Sequence, residues 1–382
     1  MDLASMLKRE DFFPIFFATI KDYYRKVYDA EVNIEFCDKK NCNLVIKPQL
    51  SCATSSHLSV EARQFFYSEW NVRDSWIKYV IAKIGAFLLL HSGKSLALYT
   101  MSMSPERFVT KDLIIAPNNR SIRFFDYKKN TVGCMIKKGF TNKYFVNQLR
   151  FRREHDYPFM VPLISYGDDW FIEPIMKGHA LARVTDKKLF KNGLQEALDG
   201  ICQLAQDTMT IVSGPEYIEG LYKKIEELLD KATEKKKIKC RRQARTIVSN
   251  AVAVAIALKK IPLCKSHGDF QTGNIWVDEE KKTWIYDWET VDIRSAWYDS
   301  SVLCYSLRRP YGWREFYKNK APDKMMNCVR ENCSDYILYD AMKQVVLLED
   351  MVFYLEDMLE LPNEWGTELF EAFIDRILEA GY

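Results

Sequence analysis

His267, Asp269, Asn274 and Asp287 fall within one stretch, SHGDFQTGNIWVDEEKKTWIYDWETVDIRSAWY, from Ser266 to Tyr298. Residues of these types can carry phosphoryl transfer. That reaction needs an in-line hydroxyl, a carboxylate to take its proton, and oxygen ligands for a magnesium ion on the phosphates. Asp269 is the candidate catalytic base, and Asn274 and Asp287 are candidate hard-oxygen ligands for Mg²⁺. The elements that must position them are local. Ile275-Trp276-Val277 reads as a strand, residues 278–282 as a polar turn, and Thr283 to Tyr286 as the return strand. This hairpin predicts Asn274 and Asp287 side by side, with Asp269 one loop earlier.

The step from Asp269 to Asn274 is that of the kinase loop H-R-D-x-x-x-x-N, with Gly268 in place of Arg. Asp287 stands where the Asp of D-F-G would, but Trp288 and Glu289 follow it. The combination H-G-D-x-x-x-x-N then D-W-E resembles the aminoglycoside phosphotransferase and choline kinase-like family of small-molecule kinases. The resemblance implies a two-lobed protein-kinase-like α+β fold, with a small curled β-sheet lobe and a large, mainly helical lobe. It also implies ATP or GTP as phosphate donor and a small-molecule hydroxyl as acceptor. His267 is given a structural role in the loop, and Asp299 is placed like the later Asp that braces it. Asp299 comes twelve positions after Asp287, and no A-P-E follows, so the protein-kinase activation loop is missing.

The whole chain sets the bounds. At 382 residues it exceeds one typical domain. A hydrophobic fraction of 48% excludes wholesale disorder, and a net charge of +3 points to no nucleic-acid partner. Lys8, Arg9, Glu10 and Asp11 interrupt the first apolar run, which speaks against a leader peptide. The most apolar stretch, Tyr79 to Leu90, is too short for a membrane span and reads as a buried helix. The ten cysteines, with Cys37/Cys42 and Cys328/Cys333 as the nearest pairs, form no CxxC and predict reduced thiols in a cytoplasmic protein.

Residues 1–108 read as an N-terminal extension: helices over Phe12 to Tyr28 and Val60 to Leu90, with a hairpin of VNIEF and NLVIK between them. His91 to Ser95 resembles the end of a Walker A loop, but its first glycine would fall on Leu88. Residues 109–178 read as the small lobe and hinge, with strands in LIIA, SIRFFDY and TVGCMIK. The turn Pro117 to Arg120 lacks glycine; the resemblance implies that its backbone amides and Arg120 lie over the phosphates, and the alternative is an ordinary hairpin turn. By the resemblance, Lys137 pairs with the nucleotide phosphates, and Gln148 or Glu154 of the next helix is its partner. Backbone groups of Glu173 and Ile175 are expected at the adenine edge, with Met176 beneath it.

Residues 179–382 read as the large lobe, broken at Ser213-Gly214-Pro215. The basic run from Lys231 to Arg245, Lys237 included, reads as a solvated face. From Glu331 onward thirteen acidic residues face only Lys343 and Arg376. Val345, Leu348, Val352, Leu355 and Leu359 would form one face of a helix there, and Glu349, Glu356 and Glu360 another. The resemblance implies Glu289, Glu349 and Glu356 on the acceptor side, for a cationic acceptor; the alternative is a solvated acidic helix. Two other readings are a non-catalytic nucleotide-binding scaffold and a kinase of glycans or lipid-linked sugars.

Overall fold

Short, largely buried runs build strands into the first half of the chain, and long amphipathic runs build much of the second half into helices. The computed structural model describes residues 3–47, 50–69, 76–236, 238–318, 339–361 and 365–382. Lys237, Cys328, Glu331 and Cys333 lie outside the described residues. The chain divides into two compact units, Met1–Gly193 with Trp276–Tyr286, and Leu194–Ile275 with Asp287–Tyr382.

Among the described residues the first unit holds a nine-stranded antiparallel sheet, in the order β1-β4-β2-β3-β5-β6-β7-β9-β8. Its strands are β1 (Asn33–Phe36), β2 (Leu44–Lys47), β3 (Cys52–Ser55), β4 (Tyr99–Ser104), β5 (Leu113–Pro117), β6 (Ser121–Asp126), β7 (Thr131–Ile136), β8 (Ser165–Tyr166) and β9 (Trp170–Pro174). Two expectations change here. β1 and β2 are not a hairpin, because β4 lies between them and pairs with both. No boundary falls at 108 either, since β3 pairs with β5 and makes residues 1–108 part of the same sheet.

The helix Phe12–Tyr28 explains this continuity. It buries Phe12, Phe16, Ile20, Tyr23 and Tyr24 in a cluster with Ile115, Ile122, Phe124 and Met135 of the central strands. Tyr23 stacks on Phe124 with ring centroids 3.7 Å apart. A Cβ at Gly133 would lie 2.0 Å from the Tyr23 hydroxyl, so only glycine admits that ring. The opposite face of β7, Cys134 and Ile136, packs with Phe145 and Leu149 of the helix Lys143–Glu154. Strand alternation thus sends Met135 to one helical layer and its two neighbours to the other. The helix Trp76–His91 leaves Ile81, Ile84, Phe87 and Leu88 each more than half exposed, where its apolar run predicts burial. No helix among the described residues is long and apolar enough to cross a membrane.

The first unit also takes the hairpin β13 (Ile275–Asp278) and β14 (Thr283–Ile285), which forms a sheet with β10 (Gly178–Ala180). Its polar turn is held by Asp278, whose carboxylate accepts the Glu280 and Lys282 amides and the Trp284 indole N–H. In the second unit β11 (Thr210–Ser213), β12 (Lys260–Ser266) and β15 (Asp292–Ser295) form a small antiparallel sheet. Around it pack the helices Gly214–Lys236, Arg241–Ala255 and Tyr339–Glu360. The last of these buries Val345, Leu348, Val352 and Leu355, and also Lys343, Gln344, Glu349 and Asp350. Cys37, Cys42, Cys52, Cys134, Cys240, Cys264 and Cys304 are free thiols. Cys202 is disulfide-bonded, a pairing that spacing alone does not reveal.

Candidate active site

β12 ends at Ser266, and the loop that follows is fixed from behind before any reactive group appears. The buried Asp299 carboxylate accepts the Ser266 hydroxyl at 2.9 Å, the His267 amide at 2.6 Å and the Gly268 amide at 2.9 Å. His267 is fully buried. Its carbonyl accepts the Thr290 hydroxyl at 2.8 Å, its Nδ1 accepts the Asp269 amide at 3.3 Å, and its ring lies 4.7 Å from that of Trp288. Gly268 takes φ +85°, and a Cβ there would stand 2.5 Å from the Thr290 carbonyl oxygen. A side chain at 268 is therefore excluded by both backbone and space.

Asp269 leaves this support with its side chain 26% exposed, open enough to meet a ligand. Its Oδ2 accepts Gln271 Nε2 at 2.8 Å and Asn274 Nδ2 at 3.1 Å, and its Oδ1 accepts Arg308 Nε at 3.1 Å. Asn274 Nδ2 also donates to the Asp269 carbonyl at 2.8 Å. The amide nitrogen is thus turned to Asp269, and Asn274 Oδ1 is the atom left to face a cation. Asp287 sits in the left-handed region, φ 66° and ψ 52°. A non-glycine residue held there is a strained conformation of the kind concentrated at functional sites. The side-chain amide oxygen of Asn274 and the carboxylate of Asp287 are the hard oxygens that Mg²⁺ selects, and two protein ligands suffice where phosphates supply others.

Residues 165–321 match the phosphotransferase enzyme family. The matched span contains every loop residue described above, and the resemblance expected from H-G-D-x-x-x-x-N is found. Among solved structures, the chain is similar to an aminoglycoside phosphotransferase in ternary complex with AMP-PNP and hygromycin B (12% identity, 72% of this chain and 96% of that one, TM-score 0.47). It is also similar to a choline kinase from Streptococcus pneumoniae (13%, 71% and 89%, TM-score 0.46). A third is an ethanolamine kinase from Plasmodium vivax (12%, 85% and 95%, TM-score 0.44). Comparison with curated proteins finds no match.

The residues expected on the nucleotide side, all in the first unit, are placed differently. Lys137 follows β7 on the Met135 side, so it points to the N-terminal helices and away from Gln148. Its ammonium pairs with Glu10 at 2.5 Å, with side-chain exposures of 1% and 7%. Neither Gln148 nor the exposed Glu154 is that partner, and in this arrangement Lys137 is enclosed rather than presented to a phosphate. Arg120 is buried too. Its guanidinium lies 4.3 Å from the Tyr144 ring, and its carbonyl accepts the Lys137 amide. The turn before it joins β5 to β6, with the Asn118 amide donating to the Ser121 carbonyl at 2.7 Å.

The adenine-edge expectation changes for a reason of register. The Ile175 amide donates to the Asn130 carbonyl at 3.0 Å. Glu173, two residues earlier and opposite Val132, turns its backbone to the same neighbour. Its side chain is buried against Arg152 at 2.8 Å. Met176 is partly buried, and its amide hydrogen-bonds the Tyr286 hydroxyl.

The acceptor-side acids also move. Glu289 stays beside Asp287, half-buried in the turn Trp288–Thr290. Glu356 is ion-paired with Lys224 at 2.8 Å. Glu349 is 3% exposed and accepts the Tyr217 hydroxyl at 2.8 Å and the Ser295 amide and hydroxyl at 2.5 and 2.6 Å. A surface acidic face therefore does not exist at 349. The helix is covered on several sides, so one helical face cannot be read as the solvent side.

Burial raises the Glu349 carboxyl to about 7 against the hydrogen bonds from Ser295 and Tyr217 and the charge of Arg294. Between the ordinary glutamate range and about 7, the folded chain holds a proton that the unfolded chain releases. The stability tied to this group is full below the ordinary range and is lost as pH rises through about 7, by about 3 kcal/mol in all. Glu349→Gln is expected to remove that dependence. Denaturant titrations from pH 5 to 8.5 should show the variant gaining on wild type as pH rises, and parallel curves would refute the assignment.

Gln271, Arg308 and Asp350 are the site residues that sequence reasoning missed. Gln271 lies inside the motif and could have been found there. Arg308 and Asp350 carry no local signal.

Proposed function

We propose that this protein is a magnesium-dependent small-molecule kinase that moves the γ-phosphoryl group of ATP or GTP to an alcohol. The observation that carries the reading is the mutual orientation of Asp269 and Asn274. One side chain offers a carboxylate while the other, tied to it, keeps its oxygen for a cation. Asn274 and Asp287 would hold Mg²⁺, which when bound neutralises charge on the phosphates. Of about four lone-pair positions on the Asp269 carboxylate, three meet Gln271, Asn274 and Arg308, leaving one on Oδ1 for the acceptor. The acceptor hydroxyl gives its proton to that oxygen as its own oxygen bonds to the γ-phosphorus. The bond from that phosphorus to the β-phosphate bridging oxygen breaks, and the nucleoside diphosphate leaves.

Glu349 and Glu356 supply no argument for a cationic acceptor, and Glu289 alone remains near the site. Amino alcohols, aminoglycosides and neutral sugars therefore enter the test on equal terms. The purified chain with ATP or GTP and Mg²⁺ should consume nucleotide above its water background with at least one of these, and Asp269→Asn should not. A chain that binds nucleotide but shows no acceptor-dependent consumption in any set would instead be a scaffold.

A further inference from the structure

Arg308 sits on the tight turn after the short helix Tyr298–Cys304, far in sequence from the loop it touches. Its guanidinium has five N–H groups, and five acceptors meet them. Nη1 donates to both oxygens of Asp350 at 2.9 and 2.8 Å, and Nη2 to the Gly268 carbonyl at 2.9 Å and the Tyr298 hydroxyl at 3.0 Å. Nε donates to Asp269 Oδ1 at 3.1 Å. The Phe353 and Tyr354 rings lie 4.6 and 5.5 Å from it, and Asp350 is fully buried beneath it and also accepts the Tyr298 hydroxyl. An ion pair serving stability alone is complete at Asp350. The remaining fork reaches the two residues at the tip of the loop, one through its backbone and the other through its carboxylate.

We infer that Arg308, held by Asp350 of the helix Tyr339–Glu360, is the positioning residue that fixes which way the Asp269 carboxylate faces. This rests on the reading of Asp269 as the base. Oδ1 carries both the Arg308 contact and the one remaining lone pair, so the direction of that lone pair follows from the guanidinium. Lysine cannot replace it, because one ammonium has no planar fork to reach Asp350, Gly268 and Asp269 together.

Arg308→Lys tests this, with Arg308→Met/Asp350→Asn as a second variant that leaves no buried carboxylate unpaired. Each is made in wild type and in Asp269→Asn, and followed by crystal structure, melting temperature and turnover of ATP, with water as acceptor where no other serves. The expected structure shows the Asp269 carboxylate turned away from its present direction with Asp299 still bracing Gly268. The expected kinetics are a kcat at least about tenfold lower with nucleotide KM unchanged, since small misplacements of a reacting group carry losses of that size. In the Asp269→Asn background the same substitutions should lower kcat no further. A carboxylate that stays put in the Arg308→Lys structure overturns the inference, as does an equal loss in both backgrounds, which is what a purely structural staple gives. Wild-type turnover in Asp269→Asn alone would end the reading of the base instead, and the carboxylate's direction in the crystal would still decide Arg308.

Discussion

Asp269→Asn is expected to fold, to bind nucleotide with wild-type affinity, and to turn over at least about 10²-fold more slowly, the scale of a positioned base. The substitution keeps the size and planar shape of the side chain. The loop behind it is held by Asp299 through three hydrogen bonds that do not involve residue 269. Arg308 keeps its bidentate Asp350, so no cation is left buried without a counter-charge. What is lost is the charged oxygen that can accept a hydroxyl proton. Initial rates with a saturating acceptor, beside calorimetric nucleotide binding, would measure both. Turnover within threefold of wild type in a folded variant would rule Asp269 out as the base.

The second large effect concerns Asp287, and its backbone allows ligand loss to be separated from fold loss. At φ 66° a side chain with a Cβ is strained, and glycine is at ease. Asp287→Gly should therefore be more stable than Asp287→Ala by roughly 1–2 kcal/mol, the cost of a Cβ in the left-handed region. Both remove the carboxylate that would hold Mg²⁺, and both should abolish the magnesium dependence of nucleotide binding. Titration calorimetry with and without Mg²⁺ reads that difference, and thermal melts read the strain. If Asp287→Gly binds nucleotide with the wild-type magnesium dependence, the metal site lies elsewhere.

The reach of sequence reading follows the reach of the interactions. The hairpin from Ile275 to Ile285 and the helices on either side of Gly214 are built from neighbours, so spacing and turn residues predict them. The loop from His267 to Asn274 is legible as a motif, although Asp299, Thr290 and Arg308 hold it from a distance. The family resemblance is legible for the same reason, because its motif lies within a few turns of chain. Lys137 shows where this stops. Its type and its place after a strand are local facts, but its partner Glu10 comes from a segment 127 residues away, chosen by which face of β7 the helix Phe12–Tyr28 covers. The acids of the helix Tyr339–Glu360 make the same point. Their spacing is plain in the sequence, yet packing turned Glu349 inward to Ser295 and Tyr217, and Asp350 inward to Arg308.

By itself, then, the sequence determined the chemistry-bearing loop, the hairpin that follows it and the phosphotransferase resemblance. Only the tertiary structure decided that the first hundred residues complete a nine-stranded sheet, that Glu10 encloses Lys137, and that Arg308 faces Asp269. The physical reason is that a strand or a helix presents several faces of similar polarity to its own sequence. Which of them becomes interior is settled by distant segments, through burial and the pairing of charges that burial makes obligatory.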